Sequence, residues 1–296
     1  MNSTFNYKHF VAGVAGGVTA TSILHPLDLI KIRFSVSDGL SSRPQYNSMW
    51  DLTKSVWKKQ GFRGLYAGVT PNIIGAGMSW GLYFFLYQTI KNQLNRGDAS
   101  KPLTAFQYLA CGIVSGSITL LITNPVWIAK TRLCLQYESQ TKIYRGTFHT
   151  ISSLYKQNGI RGLYKGLVPG LLGTSHGAVQ FFVYERLKIW NANRRNVDVG
   201  AKMRTADIIA MSAISKITAA TSTYPYQVIR ARLQEQHRAY KGIWDVIIST
   251  WRNEGWKGFY KGLGANLLRV TPACCITFFT YELLMENLPE ISTAKT

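Results

Sequence analysis

A proline-anchored segment occurs three times in this chain at almost constant spacing: Pro26-Leu-Asp28-Leu-Ile-Lys31-Ile-Arg33, Pro125-Val-Trp127-Ile-Ala-Lys130-Thr-Arg132 and Pro225-Tyr-Gln227-Val-Ile-Arg230-Ala-Arg232. The intervals are 99 and 100 residues, so the chain is built of three tandem modules. A second landmark follows each proline by roughly thirty residues. It reads Gln60-Gly61-Phe-Arg-Gly64-Leu-Tyr-Ala67-Gly68, then Asn158-Gly159-Ile-Arg-Gly162-Leu-Tyr-Lys-Gly166, then Glu254-Gly255-Trp-Lys-Gly258-Phe-Tyr-Lys-Gly262. Chance does not hold two motifs in one register through three copies. A single module is too small and too helical in pattern to enclose a core alone, so the three are expected to fold as one body.

Composition narrows the class. Charged residues make up 16% of the chain, against about a quarter of a soluble domain, and glycine and aromatics are frequent. That favours a membrane setting, although no window offers the clean apolar run of about 20 residues of a single lipid-exposed span. Helices that line a water-filled cavity resolve the conflict, because one side of each can be polar. The net charge of +20 suits nucleic acid, anionic lipid or an anionic solute. Its cations recur at fixed places in each module instead of clustering, which argues against nucleic acid. Cys111, Cys134, Cys274 and Cys275 lack metal-ligand spacing and read as buried small hydrophobes.

Periodicity and breakers predict long helices over 7–35, 69–95, 103–136, 167–192, 204–236 and 263–288, with short amphipathic helices over 47–60, 147–157 and 242–253. Polar breaks separate repeats at 1–98, 99–199 and 200–296 of a single transport domain spanning 1–296. Each repeated proline falls inside a long helix, where it removes an amide hydrogen bond and kinks the chain. Gly13-x-x-x-Gly17 and Gly112-x-x-x-Gly116 precede their prolines at one distance and offer flat helix surfaces; Ser212 and Lys216 take their place in the third module.

These residues resemble the mitochondrial carrier family, whose signature is Pro-x-Asp/Glu-x-x-Lys/Arg followed by an acidic-Gly and an aromatic-basic-Gly stretch. The resemblance covers residues 8 to about 288. It implies an all-α membrane protein with six transmembrane helices, threefold pseudosymmetric, with three short matrix-side helices. It also implies a monomeric multi-pass carrier of the mitochondrial inner membrane with no cofactor, no metal and no nucleic-acid partner, and cardiolipin at the amino ends of the short and even helices. The absence of an Arg-rich leader or secretory cleavage site leaves an internal mitochondrial address as the expectation. Trp127, Gln227, Gln60 and Ala67 depart from the signature.

Asp28 and Lys31 lie three apart on one helix face, where a simple surface pair would contribute only tenths of a kcal/mol. In the resembling family the equivalent positions form a ring, the matrix gate. By that pattern Asp28 meets Lys130, Trp127 meets Arg230 in a cation–π contact, and Gln227 meets Lys31 in a hydrogen bond. Tyr87-Gln88-x-x-Lys91, Tyr184-Glu185-x-x-Lys188 and Tyr281-Glu282-x-x-Met285 resemble the cytoplasmic gate, again incomplete. Gates that cannot both be tight are the basis of alternating access.

Between the gates the family's substrate contacts map to Gly75 with Ala76, Leu172 with Gly173, and Arg269. Arg269 and Lys216 are intramembrane cations and therefore functional candidates by default. The small residues leave room for a bulky solute, and Trp80, Tyr83, His176 and Gln180 offer stacking and hydrogen bonds. Trp127 in the second module, with the strings His25-Pro-Leu-Asp-Leu, Ser79-Trp-Gly-Leu-Tyr83, Gly173-Thr-Ser-His-Gly177, Tyr224-Pro-Tyr-Gln227 and Thr271-Pro-Ala-Cys-Cys275, resembles the nucleotide and coenzyme branch. The expected solute is FAD, folate or both, with NAD or a pyrimidine nucleotide as the alternative. An enzyme reading finds no Walker loop and no Gly-x-Gly-x-x-Gly, and His9, His25, His149, His176 and His237 are scattered. A soluble helical-repeat scaffold would instead expose the intramembrane glycines to water.

Overall fold

The computed structural model describes residues 7–37, 44, 46–95, 103–137, 143–195, 204–238 and 240–287. Their regular structure is helical throughout. The first module contains α1 (Tyr7–Ser35), α2 (Met49–Leu65) and α3 (Val69–Leu94). The second contains α4 (Ala105–Cys134), α5 (Thr147–Leu163), α6 (Leu167–Leu172) and α7 (Ser175–Arg195). The third contains α8 (Thr205–Ser222), α9 (Tyr224–Gln234), α10 (Ile243–Glu254), a 3-10 turn (Gly255–Tyr260) and α11 (Leu263–Asn287).

Six long segments follow one another round a ring: α1, α3, α4, α6 with α7, α8 with α9, and α11, which returns against α1 and closes it. The closure is tight. A Cβ on Gly16 would stand 2.8 Å from the backbone oxygen of Thr277, whereas Gly17 faces open space, so the close approach falls one residue before the glycine expected to make it.

Buried polar groups and exposed large apolar side chains are both frequent beside a hydrophobic core built on Leu29, Leu52 and Val56. His25, Asp28, Asn72, Thr123 and Asn124 are buried, while Ile23, Phe84, Phe85, Phe181 and Phe182 are exposed on the outside. Among the described residues one helix, Gln107–Cys134 within α4, is by length and composition apolar enough to cross a membrane, with a mean hydropathy of 1.6. The other long segments carry polar residues on their inward sides and so dilute the average.

Two long segments are broken where sequence periodicity predicts continuity. Thr223 (φ −96°, ψ 2°) ends α8, and Pro225 then lies in the first turn of α9, where a missing N–H costs nothing. α1 and α4 run through Pro26 and Pro125 without a break. The other interruption separates α6 from α7 around Gly173 and Thr174, after two glycines within four residues have lowered helix propensity. The short helices outlast their expected ends: α2 and α5 continue past Gly61 (φ 60°) and Gly159 (φ 61°), and Gly255 (φ 64°) passes α10 into the 3-10 turn. This left-handed bend explains why glycine stands in all three copies after a residue that changes from Gln60 to Asn158 to Glu254.

Candidate functional site

The residue before each repeated proline pins its kink to its own module. His25 Nε2 donates to the Ala67 carbonyl at 2.9 Å, Asn124 Nδ2 to Leu163 at 2.8 Å, and the Tyr224 hydroxyl to Lys261 at 3.1 Å. The ends of α1 and α4 are then joined through charge, and α1 meets α9 and α11 through Lys31. Lys130 Nζ donates to Asp28 Oδ2 at 3.1 Å, Arg269 Nε lies 3.1 Å from Asp28 Oδ1, and Asn72 Nδ2 donates to Asp28 at 3.1 Å. Lys31 Nζ donates to Gln227 Oε1 and Asn266 Oδ1, both at 2.8 Å.

The second joint differs from its expected form. Trp127 does not meet Arg230. Its ring lies near Lys130 of its own helix, 5.4 Å from Nζ to centroid, and rests on Gly75, where a Cβ would come within 3.3 Å of ring carbon. A side chain larger than aspartate needs this flat seat on α3. Arg230 instead donates to Asn124 Oδ1 at 3.3 Å, and its guanidinium packs over Gly170, where a Cβ would stand 3.2 Å away. Lys31, Lys130 and Arg269 thus stand around one carboxylate, Asp28, and Arg230 adds a fourth cation, held by Asn124 alone among the described residues, at the second joint.

One layer below is a complete threefold ring, formed by arginines that repeat in sequence but that sequence reasoning left without a role. Arg33 Nε donates to the Cys134 carbonyl at 2.8 Å, Arg132 Nε to Gln234 at 3.2 Å, and Arg232 Nε to Ser35 at 3.1 Å. Each arginine therefore grips the carboxyl end of the next odd segment. Each also reaches outward: Arg33 to Gln60, Arg132 to the Tyr144 hydroxyl, and Arg232 to Thr250 and Glu254. Glu254 is shared with Lys261 at 2.6 Å. The repetition of Pro+7 arginines was the available signal; their acceptors are backbone carbonyls, which no side-chain motif marks.

A cavity of about 440 Å³ runs through the gate layer, lined by Ser79, Thr123, Gly170, Gly173, Thr174 and Tyr226 on one side, by Lys31, Trp127, Lys130, Gln227 and Arg230 at the gate itself, and by Ser35, Thr131 and Gln234 towards the arginine ring. Gly173 lines it with Thr174. Leu172 does not, and its exposed side chain corrects the pairing of Leu172 with Gly173: counted seven and eight residues on from Gly68 and Gly166, the matching pairs are Gly75 with Ala76 and Gly173 with Thr174. Tyr226 covers Gly173 as Trp127 covers Gly75, and its hydroxyl donates to the Gly173 carbonyl at 3.4 Å. Ala76 is half-buried on α3. Trp80 is exposed and stacked on Phe84 at 5.7 Å, off the α3 face that carries Gly75 and Ser79. His176 Nδ1 bonds the Thr223 hydroxyl at 3.0 Å. Lys216 is half-buried and has no hydrogen-bond or ion-pair partner among the described residues.

At the other end Lys91 stands over the Tyr108 ring at 5.8 Å, and no ion pair joins Lys91, Glu185 and Lys188 among the described residues. Gln88 is exposed there, and the side chains of Glu282 and Met285 lie outside the described residues.

Comparison with known proteins agrees with this three-module design. The family model described as mitochondrial carrier protein matches residues 2–98, 101–194 and 202–292. A chloroplastic folate transporter 1 of Arabidopsis thaliana is 39% identical over 307 residues, covering 100% of both chains. A chloroplastic nicotinamide adenine dinucleotide transporter 1 of the same plant is 39% identical over 282 residues, 92% of this chain and 89% of its own. A mitochondrial FAD carrier protein of Saccharomyces cerevisiae is 31% identical over 305 residues, 95% and 97%. With three matched repeats, a closed ring of six long segments and relatives named as transporters and carriers, the chain belongs to the mitochondrial carrier family and is a membrane transporter.

Proposed function

We propose that this carrier moves FAD, folate or both across the mitochondrial inner membrane, by alternating access between a matrix gate and a cytoplasmic gate. The matrix gate consists of Asp28, Lys31, Trp127, Lys130, Gln227 and Arg230; the cytoplasmic gate consists of Gln88, Lys91, Glu185, Lys188 and Glu282. The observation that carries the reading is the charge imbalance of the gate, where Lys31, Lys130 and Arg269 share the one carboxylate of Asp28 and Arg230 has only the amide of Asn124 among the described residues. Lys31 is held by two neutral amides and Arg230 by one, so both have unused affinity for phosphate or carboxylate oxygens.

Glycines at 75, 170 and 173 keep the wall flat, and Trp127 and Tyr226 offer faces to a planar heterocycle. Gly75, Ala76, Gly173, Lys216, Arg269 and His176 complete the proposed contact set, with Thr174 in place of Leu172 and without Trp80, which turns off the face of Gly75 and Ser79. A relative named for folate and another named for FAD support this choice of solute. Relatives named for nicotinamide adenine dinucleotide favour NAD as the second reading, since that solute joins pyrophosphate to flat rings in the same way.

The test is uptake of labelled FAD, reduced folate and NAD, side by side, into liposomes that contain the purified protein. Saturable uptake of FAD or folate supports the main reading, and uptake of NAD alone replaces it with the second. Failure of all three by correctly inserted protein overturns both.

A further inference from the structure

The cavity has two kinds of lining. At the gate it offers cations, Lys31, Lys130 and Arg230, which can only donate hydrogen bonds. On the side away from the arginine ring it offers hydroxyls, and most of their hydrogens are spent inside the protein. Thr123 donates to the Thr119 carbonyl at 2.8 Å, Thr174 to Leu171 at 2.7 Å, and Tyr226 to Gly173 at 3.4 Å. Ser79 Oγ turns to Thr123 Oγ1 at 3.5 Å. A hydroxyl that has given its hydrogen keeps its lone pairs, so this part of the wall accepts.

Thr119 breaks the pattern. It lines the cavity and is only 5% exposed, yet its Oγ1 has no hydrogen-bond partner among the described residues. A buried hydroxyl without a partner is costly, and native proteins hold few of them. The usual relief for a helical threonine is a bond back to the carbonyl four residues earlier, which Thr123 makes and Thr119 does not. The hydrogen and the lone pairs of Thr119 therefore both remain to be used. Four residues separate it from Thr123, so the two hydroxyls form a column along α4 with a rise of about 6 Å.

We propose that Thr119, Thr123 and Ser79 form a subsite for a sugar or polyol segment of the solute, closed on its other side by Thr174 and Tyr226. The subsite orients the solute with its anionic end towards Lys31, Lys130 and Arg230. This inference rests on the proposed function and narrows it to solutes that join such a segment to an anion, as FAD and NAD do and folate does not. Each carbon-bound hydroxyl can donate to a spent hydroxyl of the wall and accept from Thr119, and a chain of them presents these groups along an axis, as the α4 column does. A flat ring carries its donors along one edge and is served better by the faces of Trp127 and Tyr226. Phosphate or carboxylate would meet lone pairs here, and the gate cations hold it more strongly.

The test is uptake by proteoliposomes of FAD and of analogues that each lack one ribityl or ribose hydroxyl. The parent should show an apparent KM for FAD roughly fivefold below that for at least one analogue. Thr119→Val keeps the shape and removes the hydroxyl. It should raise the KM for FAD to that of the analogue, abolish the preference and leave maximal uptake near that of the parent, and Thr119→Ser should restore the preference. Ser115→Ala removes another buried hydroxyl without a partner among the described residues, one turn along α4 and outside the cavity lining, and should change neither quantity. Thr119→Val protein that discriminates among the analogues as the parent does would overturn the subsite and leave FAD transport standing. A parent that carries NAD instead meets the same test with NAD analogues lacking one ribose hydroxyl. Uptake of reduced folate alone overturns the subsite but not the proposed function, and uptake of none of the three overturns both. If Thr119→Val fails to insert, the parent decides: equal KM for FAD and every analogue overturns the proposal.

Discussion

Replacing Asp28 by Asn removes the gate's carboxylate while preserving its shape and its capacity to accept from Asn72. The variant therefore isolates charge. Asp28 and Lys130 have side chains only 12% exposed, so the loss of one partner leaves a nearly dry ammonium without its counter-ion. Breaking a buried pair in this way costs about 3 to 5 kcal/mol. The contact with Arg269 adds less, because that guanidinium is 34% exposed and water screens it. We take about 3 kcal/mol as the net loss to the closed gate, equivalent to roughly two powers of ten in the closed-to-open ratio. The melting temperature of the purified variant should fall by roughly 10 °C, and uptake by proteoliposomes should collapse because the matrix side no longer seals. Parallel melting and uptake measurements check both. Asp28→Asn protein that melts and transports like the parent would refute the account of Asp28 as the gate's electrostatic centre.

Three further outcomes are expected. Gln227→Glu supplies Lys31 with a carboxylate at a site where the neutral amide already sits 2.8 Å away, so the closed state gains about 1 to 2 kcal/mol: melting rises and maximal uptake falls, and a faster variant contradicts the gate assignment. Arg232→Met leaves Glu254 to Lys261 alone and should lower the melting temperature more than Arg33→Met, whose lost partners are all neutral; equal shifts in the paired melts would remove the special role of the buried Arg232–Glu254 bridge. Gly75→Ala forces Trp127 off its seat by a few tenths of an ångström and should reduce uptake several-fold, whereas Gly77→Ala meets open space and should not; identical uptake by the two variants would separate the Trp127 seat from transport.

Much of the fold was legible because it rests on local rules. Prolines at constant spacing, glycines that must bend left-handed and alternating polar breaks mark the long and short helices within a few residues. Contacts across the ring were harder to read, since their partners depend on how separate modules meet. Trp127 was expected over Arg230 from threefold symmetry alone, but symmetry does not carry the size of an indole, and the deciding neighbour was a glycine on α3. The arginine ring escaped notice because backbone carbonyls carry no sequence identity. Arg269 is the most instructive case. Its position seven residues beyond Gly262, like Gly75 beyond Gly68 and Gly173 beyond Gly166, suggested a cation free in the cavity. Nothing in the sequence announces that α11 closes on α1, and that closure sets Arg269 beside Asp28. Its charge is therefore already engaged in holding the gate. Under the proposed function, a solute anion that draws Arg269 into the cavity takes it from Asp28 and loosens the closed layer. Solute recognition and gate release then become competing uses of one guanidinium.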